Sequence, residues 1–290
     1  MPRIPGTFDL EAVGSVEHYA DPELYDHEYR RRRADVNFYR QMARDHGGPI
    51  LELGCGTGRV LTALCRDGHR VIGLDRSRPM LEVARARVAR LGRAARRRAD
   101  LVQADFRAFA LRARFPLVLC PFNAFQHLYE RTDVESFLRC VAEHLTETGI
   151  FVFDILQPDL DWLTQDPARH WARTRFRHPR TGRPVLYSTN HTYDPIRQIA
   201  FVRIFYEPLD LPPEARRTRV VRLGHRQFFP REIEELLHYN GFVVERRWGG
   251  FRGEEPGPET DSQVLACTFP SRKSTAGVTF PLTPTVDLVG

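Results

Sequence analysis

Two rhythms of apolar and polar positions divide this chain. From residue 49 onward, short runs that are apolar throughout alternate with segments whose apolar residues recur every three or four positions. The runs are "ILEL" (50–53), "RVIGLD" (70–75), "LVQAD" (101–105), "FPLVLC" (115–120) and "GIFVFDIL" (149–156); helical patterns occupy 59–67, 78–91 and 132–145. In the second of these helices Met80, Val83, Ala84, Val88 and Leu91 form one stripe, with Ser77 placed to cap it and Pro79 in its first turn. Runs apolar on both faces, separated by amphipathic helices, predict a parallel sheet covered on both sides. Upstream, residues 16–46 read as helical, and Gly47-Gly48-Pro49 ends that segment.

The second rhythm begins after Pro158. Residues 184–193, 198–207 and 218–228 alternate apolar and polar side chains, which predicts an antiparallel meander. The helical period returns from Pro230 to a stop at Gly241, and strands follow at 241–248 and 263–269. With no helix between them, those two strands form an antiparallel hairpin rather than parallel neighbours. The expected fold is therefore α/β: a doubly wound, mostly parallel seven-stranded sheet, with a helical N-terminal segment and a small antiparallel β insertion. The last twenty residues, rich in Pro, Thr and Ser, read as an extended tail.

Composition narrows the class. No apolar run among the 290 residues approaches the ~18 needed to cross a membrane. The N-terminus lacks the basic-then-apolar layout of a secretory signal, so a cytoplasmic protein is expected. Cys55, Cys65, Cys120, Cys140 and Cys267 show no metal-ligand spacing, and they read as reduced thiols filling the core. The formal charge of +6 invites a nucleic-acid reading, but Lys273 is the only lysine among 43 basic residues. That skew fits a GC-rich coding sequence better than selection for phosphate, so Arg30–Arg33 and the cluster at 93–98 are read as solvated helix faces and ends.

Chemistry concentrates at the strand ends. Ligands of a doubly wound sheet sit at the carboxyl ends of its strands, near the reversal of strand order. There the turn Gly54-Cys55-Gly56-Thr57-Gly58 has the spacing G-x-G-x-G, without the third glycine that a dinucleotide fingerprint places inside the helix. Asp75 ends the second strand, where a carboxylate accepts both hydroxyls of a ribose, and Met80 follows one helical turn later to pack an adenine face. Asp105 ends the third strand, placed to accept from an exocyclic amine, with Phe106 beside it to cover a flat ring. Either acid alone reads as a helix cap. Three features in register suit three parts of one adenosine ligand.

"LELGCGTGR", "GLDRSRPML" and "QADFRAF" resemble the consecutive cofactor motifs of class I S-adenosylmethionine-dependent methyltransferases. The resemblance runs from about residue 20 to 269. It implies that Glu52, Gly54, Cys55 and Gly56 line the amino-acid part of S-adenosyl-L-methionine, with Arg59 reaching its carboxylate. It further implies Asp75, with neighbouring Arg76, at the ribose; Met80, Asp105 and Phe106 at the adenine; and Asn123 near the reacting methyl. "CPFNAFQHLYE" (120–130) resembles the corresponding loop of glycine N-methyltransferase and the bacterial sugar-amine N,N-dimethyltransferases, which makes His127, with Asn123, the expected catalytic pair and His127 the base. "YADPELYDHEYRRR" resembles the Tyr-Asp lid of the same enzymes, with Tyr25 and Tyr29 as closing tyrosines.

On this resemblance the chain divides into a helical lid (1–48), a cofactor-binding core (49–157), a β insertion roofing the active site (158–225), the remainder of the core sheet (226–269) and the tail (270–290). Tyr187, His191, Tyr193, Arg203 and Tyr206 of the insertion, and Asp154 and Gln157 at the end of the fifth strand, are expected around the acceptor. Methyl transfer from a sulfonium is an in-line displacement that needs alignment and exclusion of water more than a catalytic constellation. The expected function is methyl transfer to a small polar molecule, at an amine nitrogen. A hydroxyl acceptor, an RNA and a non-catalytic cofactor-binding role are the alternatives. The absence of an N-P-P-[YF] tetrapeptide, replaced by Pro121-Phe122-Asn123-Ala124, counts against a DNA base. Expected partners are a small-molecule substrate, with no membrane, nucleic acid disfavoured, no metal, and room for a homodimer.

Overall fold

A computed structural model describes residues 6–270. A wide turn over Leu10–Gly14 and a short turn over Glu17–Tyr19 precede α1 (Pro22–Tyr29) and α2 (Ala34–His46). The alternating unit follows: β1 (Ile50–Leu53), α3 (Arg59–Arg66), β2 (Val71–Asp75), α4 (Arg78–Ala89), α5 (Arg93–Arg96), β3 (Ala99–Gln103), β4 (Phe115–Cys120), α6 (Arg131–His144) and β5 (Leu145–Leu156). Then come α7 (Leu160–Leu163), the meander β6 (Trp171–Arg177), β7 (Pro184–Asp194), β8 (Ile199–Pro208) and β9 (Arg219–Arg226), then α8 (Pro230–Tyr239), β10 (Val243–Trp248) and β11 (Ser262–Thr268).

Seven strands form one sheet in the order β10-β11-β5-β4-β1-β2-β3, with β11 antiparallel to both β5 and β10 and the other pairings parallel. This is the doubly wound, mostly parallel arrangement expected, closed by the expected hairpin. Its faces are buried by separate side-chain layers. Leu53, Phe125, Phe137, Phe151 and Phe153 pack with α6 and α8 on one side; Phe38, Tyr39, Leu61, Leu64 and Val71 pack with α2 and α3 on the other. Each such side chain contributes roughly 1.5–3 kcal/mol by burial. All five cysteines are buried and free. Among the described residues, no helix is long and apolar enough to cross a membrane.

Three details depart from the sequence pattern. The helical segment 16–46 divides at Arg30–Arg33 into α1 and α2, with only a short turn before α1. Strand β3 stops at Gln103, opposite Asp75 of β2, so Asp105 lies two residues beyond the strand in a bridge to Ala108 rather than ending it. The meander has a fourth strand, β6, whose sequence WARTRFR carries too few apolar positions to show its period; a register shift between Trp171 and Thr174 breaks the alternation further. The expected tail lies, from residue 271 on, outside the described residues.

The second sheet, β6-β7-β8-β9, is antiparallel throughout. Helix α1 buries Leu24 against its Val185, Ile204, Val221 and Leu223, and Leu10 packs on Phe201 and Ile199. The N-terminal segment thus connects the two sheets.

Candidate active site

The order of the large sheet reverses between β1 and β4, and a cavity opens there. Its wall includes Gly54, Gly56, Asp75, Met80, Asp105 and Phe106 from the core, with Tyr19, Tyr25, Phe122 and His127 facing them.

The glycine turn is built to bring backbone close to this space. Gly54 has φ +70°, and a Cβ there would meet the Ala124 side chain at 2.9 Å. On the neighbouring strand, a Cβ at Gly73 would meet Leu61 at 2.5 Å and Cys55 Sγ at 3.0 Å. Cys55 therefore packs inward over Gly73, and its side chain is absent from the cavity wall. Gly54 and Cys55 both donate their N–H to the Leu74 carbonyl, tying the turn to the end of β2.

Asp75 accepts the N–H of Gly56 at one oxygen and that of Ser77 at the other, each at 2.8 Å. Each oxygen keeps a lone pair for a further donor. Burial raises the Asp75 pKa, and the two backbone N–H groups and Arg76 oppose the rise. Asp105 is partly buried, but Arg107 donates to it from backbone and guanidinium and holds its pKa below the ordinary value. The same guanidinium reaches Glu11 at 2.9 Å and Asp133 at 3.0 Å, and Arg76 donates to the Ser15 carbonyl at 2.9 Å. Thr57 donates to Asp26 at 2.6 Å. Each cofactor motif expected from sequence is thus joined to a residue before position 27.

Beneath the turn, Glu52 is almost fully buried and its Oε2 has no hydrogen-bond partner. Burial pushes its pKa up to about 8; Arg59 opposes this and Asp75 adds to it. An orphaned acid of this kind suits a ligand that brings a positive charge.

Beyond β4 the backbone is strained. Phe122 and Asn123 both have φ +61°, a conformation that costs side chains of this kind about 1–2 kcal/mol apiece. Asp154 of β5 holds them, accepting from Phe122 N at 2.7 Å, Asn123 N at 3.1 Å and the Tyr39 hydroxyl. The turn presents the Phe122 ring to the cavity, and the guanidiniums of Arg32 and Arg59 lie 5.0 and 4.9 Å from that ring.

His127 closes the opposite wall. Its Nε2 meets the Tyr19 hydroxyl at 2.6 Å and its Nδ1 the Tyr129 hydroxyl at 3.0 Å. Tyr129 spends its own proton on the Gly224 carbonyl, so Nδ1–H donates to Tyr129 and Nε2 accepts from Tyr19. Burial, with His225 and Arg76 nearby, holds the His127 pKa well below its ordinary value. The imidazole is neutral.

The cavity brings together nine of the residues singled out from sequence: Tyr25, Gly54, Gly56, Asp75, Arg76, Met80, Asp105, Phe106 and His127. Glu52, Cys55, Arg59 and Asn123 do not line it. Arg59 forms a two-point pair with the fully buried Asp35, with Arg59 Nη1 at 2.9 Å. Asn123 donates its backbone N–H to Asp154 at 3.1 Å. Of the insertion, Tyr206 bonds Glu28, His191 stacks on Trp162, Arg203 bonds Asn190 at 2.7 Å, and neither they nor Tyr187 and Tyr193 reach this cavity. Asp154 supports the Phe122 turn, and Gln157 N bonds the Asp261 carbonyl at 3.0 Å. Sequence reasoning missed Ser15, Tyr19 and Arg107. Only Arg107 carries a signal, in its position two residues after Asp105, where an arginine can fold back on the acid.

Comparison with known proteins matches residues 50–149 to a family model described as a methyltransferase domain. The cypemycin N-terminal methyltransferase of a Streptomyces species is 34% identical over 112 residues, 39% of this chain and 43% of that protein. The dTDP-3-amino-3,6-dideoxy-alpha-D-glucopyranose N,N-dimethyltransferase of Streptomyces fradiae is 30% identical over 141 residues, 46% of this chain and 51% of that protein. The glycine/sarcosine N-methyltransferase of Parasynechococcus marenigrum is 29% identical over 159 residues, 50% of this chain and 54% of that protein. The chain spans about half the length of these curated relatives. Among solved structures, the CcbJ methyltransferase from Streptomyces caelestis aligns with a TM-score of 0.69 at 21% identity, covering 81% of this chain and 95% of that one. At that identity the likeness establishes the fold.

Proposed function

We propose that this chain, which carries a class I S-adenosylmethionine-dependent methyltransferase domain, methylates an amine nitrogen of a small polar acceptor. The observation that carries the reading is convergence: the glycine turn, Asp75, Met80 and the Asp105–Phe106 pair line one cavity whose far wall is the neutral His127. S-adenosylmethionine supplies a methyl already activated on sulfur, so the chain's task is binding, alignment and exclusion of water. In this reading Asp75 accepts the ribose hydroxyls and Glu52, from below the turn, answers the positive charge of the amino-acid end. Met80 and Phe106 cover the adenine, and Asp105 accepts its amine. Arg59 acts at one remove, holding Phe122 against the cavity, because Asp35 already occupies its guanidinium.

His127 is the base for an acceptor that arrives protonated. Since its Nε2 accepts from Tyr19, a departing proton either passes through the Tyr19 hydroxyl or follows displacement of that hydroxyl. Nitrogen is favoured over oxygen because a base held this weak suits an amine, which attacks with its own lone pair, better than a hydroxyl, which must give up its proton to become a good nucleophile, and because two relatives are named as N-methylating enzymes. The segment 1–48 serves as lid, joined to the motifs through Glu11, Ser15 and Asp26, and 158–225 roofs it. The protein works in the cytoplasm on a small molecule, not on nucleic acid. A screen of amines, amino acids and phenols for S-adenosylhomocysteine release tests the proposal. Release with amines is expected; turnover of phenols alone would overturn the nitrogen assignment, and failure to bind S-adenosylmethionine would overturn the whole.

A further inference from the structure

A groove separate from the first cavity runs between the α1–α2 corner and helices α3 and α4. Among the described residues, eight arginines and two acids, Asp26 and Asp67, line it. Each acid is already engaged: Asp67 accepts from Arg40 at 2.7 Å, and Asp26 pairs with Arg87. A third arginine of the wall, Arg59, is held by the buried Asp35. Arg30, Arg32, Arg33, Arg66 and Arg90 form no ion pair among the described residues. Arg30 donates to the His27 carbonyl at 2.6 Å and Arg32 lies over the Phe122 ring, so neither meets an anion.

The bias of the composition toward arginine accounts for the kind of basic residue, not for its gathering in one groove. Charges of one sign along a concave wall reinforce one another. The effect shows at Arg87: burial and the guanidiniums of Arg59, Arg66 and Arg90 hold its pKa below the ordinary value, against the attraction of Asp26. Arg33 occupies the N-cap of α2, where the helix dipole opposes a cation, and Val36 and Asn37 of that helix's first turn line the same wall. Arg33 is therefore not there to answer a helix end. The apolar side chains of the wall are the small Val36 and Ala63, and no aromatic ring lines it among the described residues. A protein partner finds no large apolar anchor there, and a nucleobase finds no stacking platform. Phosphate oxygens are what guanidinium forks match, two N–H groups at a time.

We propose that this groove is a binding site for a compact oligophosphate, held by Arg33, Arg66 and Arg90 with Arg30 and Arg32 beside them. Recognition is by the phosphates alone, whether free or carried on a nucleotide. The site goes beyond the methyl-transfer reading and does not rest on it, since none of its wall residues lines the first cavity.

Calorimetric titration of the full chain, free of divalent metal and at about 150 mM salt, tests this with inorganic tripolyphosphate, orthophosphate and ATP. Tripolyphosphate is expected to bind at least about tenfold more tightly than orthophosphate, with ATP within about tenfold of tripolyphosphate. Arg33→Gln/Arg66→Gln should weaken tripolyphosphate at least about tenfold. Arg112→Gln/Arg139→Gln, which removes the same charge from exposed positions away from the groove, should leave it within about twofold. Equal losses in the two double variants, no preference for tripolyphosphate over orthophosphate, or no binding up to about 10 mM would overturn the proposal. ATP binding more than about tenfold tighter than tripolyphosphate would overturn recognition by phosphates alone. Tighter binding of an RNA duplex of about 12 base pairs, lost in Arg33→Gln/Arg66→Gln, would overturn it too, since the groove would then belong to a nucleic-acid surface. Titration with S-adenosylhomocysteine already saturating keeps the probes out of the first cavity, and failure of the methyl-transfer reading would appear in the binding of that ligand and not in the probe preferences.

Discussion

Glu52 offers the sharpest test of how the site is built, because its replacement should act in opposite directions on stability and on ligand binding. Its carboxyl is buried under the glycine turn, one oxygen lacks a partner, and its pKa rises from 4.5 to about 8. A carboxyl whose pKa is raised on folding stabilises the fold fully only below the unfolded value, and that contribution is lost as pH rises through the folded value. At 1.36 kcal/mol per decade, holding Glu52 in the fold costs about 1 kcal/mol at pH 5 and about 4 kcal/mol at pH 8. Glu52→Gln removes this pH-dependent cost. Urea unfolding at both pH values should therefore show the variant gaining about 3 kcal/mol over the parent between pH 5 and pH 8. Taking the difference between the two pH values cancels any packing effect of the substitution. The positive end of S-adenosylmethionine should then draw the proton off Glu52. Titration at pH 7 in buffers of different ionisation enthalpy should show release of close to one proton by the parent and none by Glu52→Gln, with weaker binding by the variant. Parallel stability profiles for the two proteins would refute the burial argument. A full proton released by the variant would refute the assignment of the ligand's charge to Glu52.

Asp75→Ala should weaken S-adenosylmethionine binding at least tenfold by calorimetry, the scale of a charged hydrogen bond worth ~1.5–3 kcal/mol; unchanged affinity would end the ribose assignment. Asp154→Ala strands the N–H groups of Phe122 and Asn123 in a left-handed turn and should destabilise the protein by about 3 kcal/mol in chemical denaturation. His127→Ala should lower turnover far more than cofactor affinity, and Tyr19→Phe should do the same if the proton passes through that hydroxyl. With the His127 pKa held well below its ordinary value, the rate profile of the parent should show no rise centred near 6.5; such a rise, lost in His127→Ala, would mean that the imidazole titrates in the open.

What was legible in the sequence follows from how far each feature depends on distant residues. Strands β1, β2, β4 and the second half of β5 are largely buried on both faces and announce themselves as predominantly apolar runs. The positions of the glycine turn and of Asp75 then follow, because a strand end in a parallel sheet has one place to be. Side-chain direction does not follow. Cys55 turns inward because Gly73, eighteen residues on, leaves room for its sulfur. Arg59 is claimed by Asp35 from the preceding helix. His127 is oriented by Tyr19, 108 positions away, on a turn with no periodic pattern.

The acceptor side is harder still, since a meander fixes only which residues share a face. Tyr206 and Tyr187 occupy opposed positions on β8 and β7, and the polar partner of Tyr206 is Glu28 of the N-terminal segment and not the cofactor motifs. No window of sequence holds that pairing, since its members lie 178 positions apart. The motifs readable in sequence are those proposed to hold the methyl donor, placed by strand ends and by the glycine turn. In the methyl-transfer reading, choice of acceptor falls to side chains that meet only after α1 has docked on the second sheet, so substitutions at Tyr187 and Tyr206, which lie outside the first cavity, should alter which acceptor is used while leaving donor affinity in place.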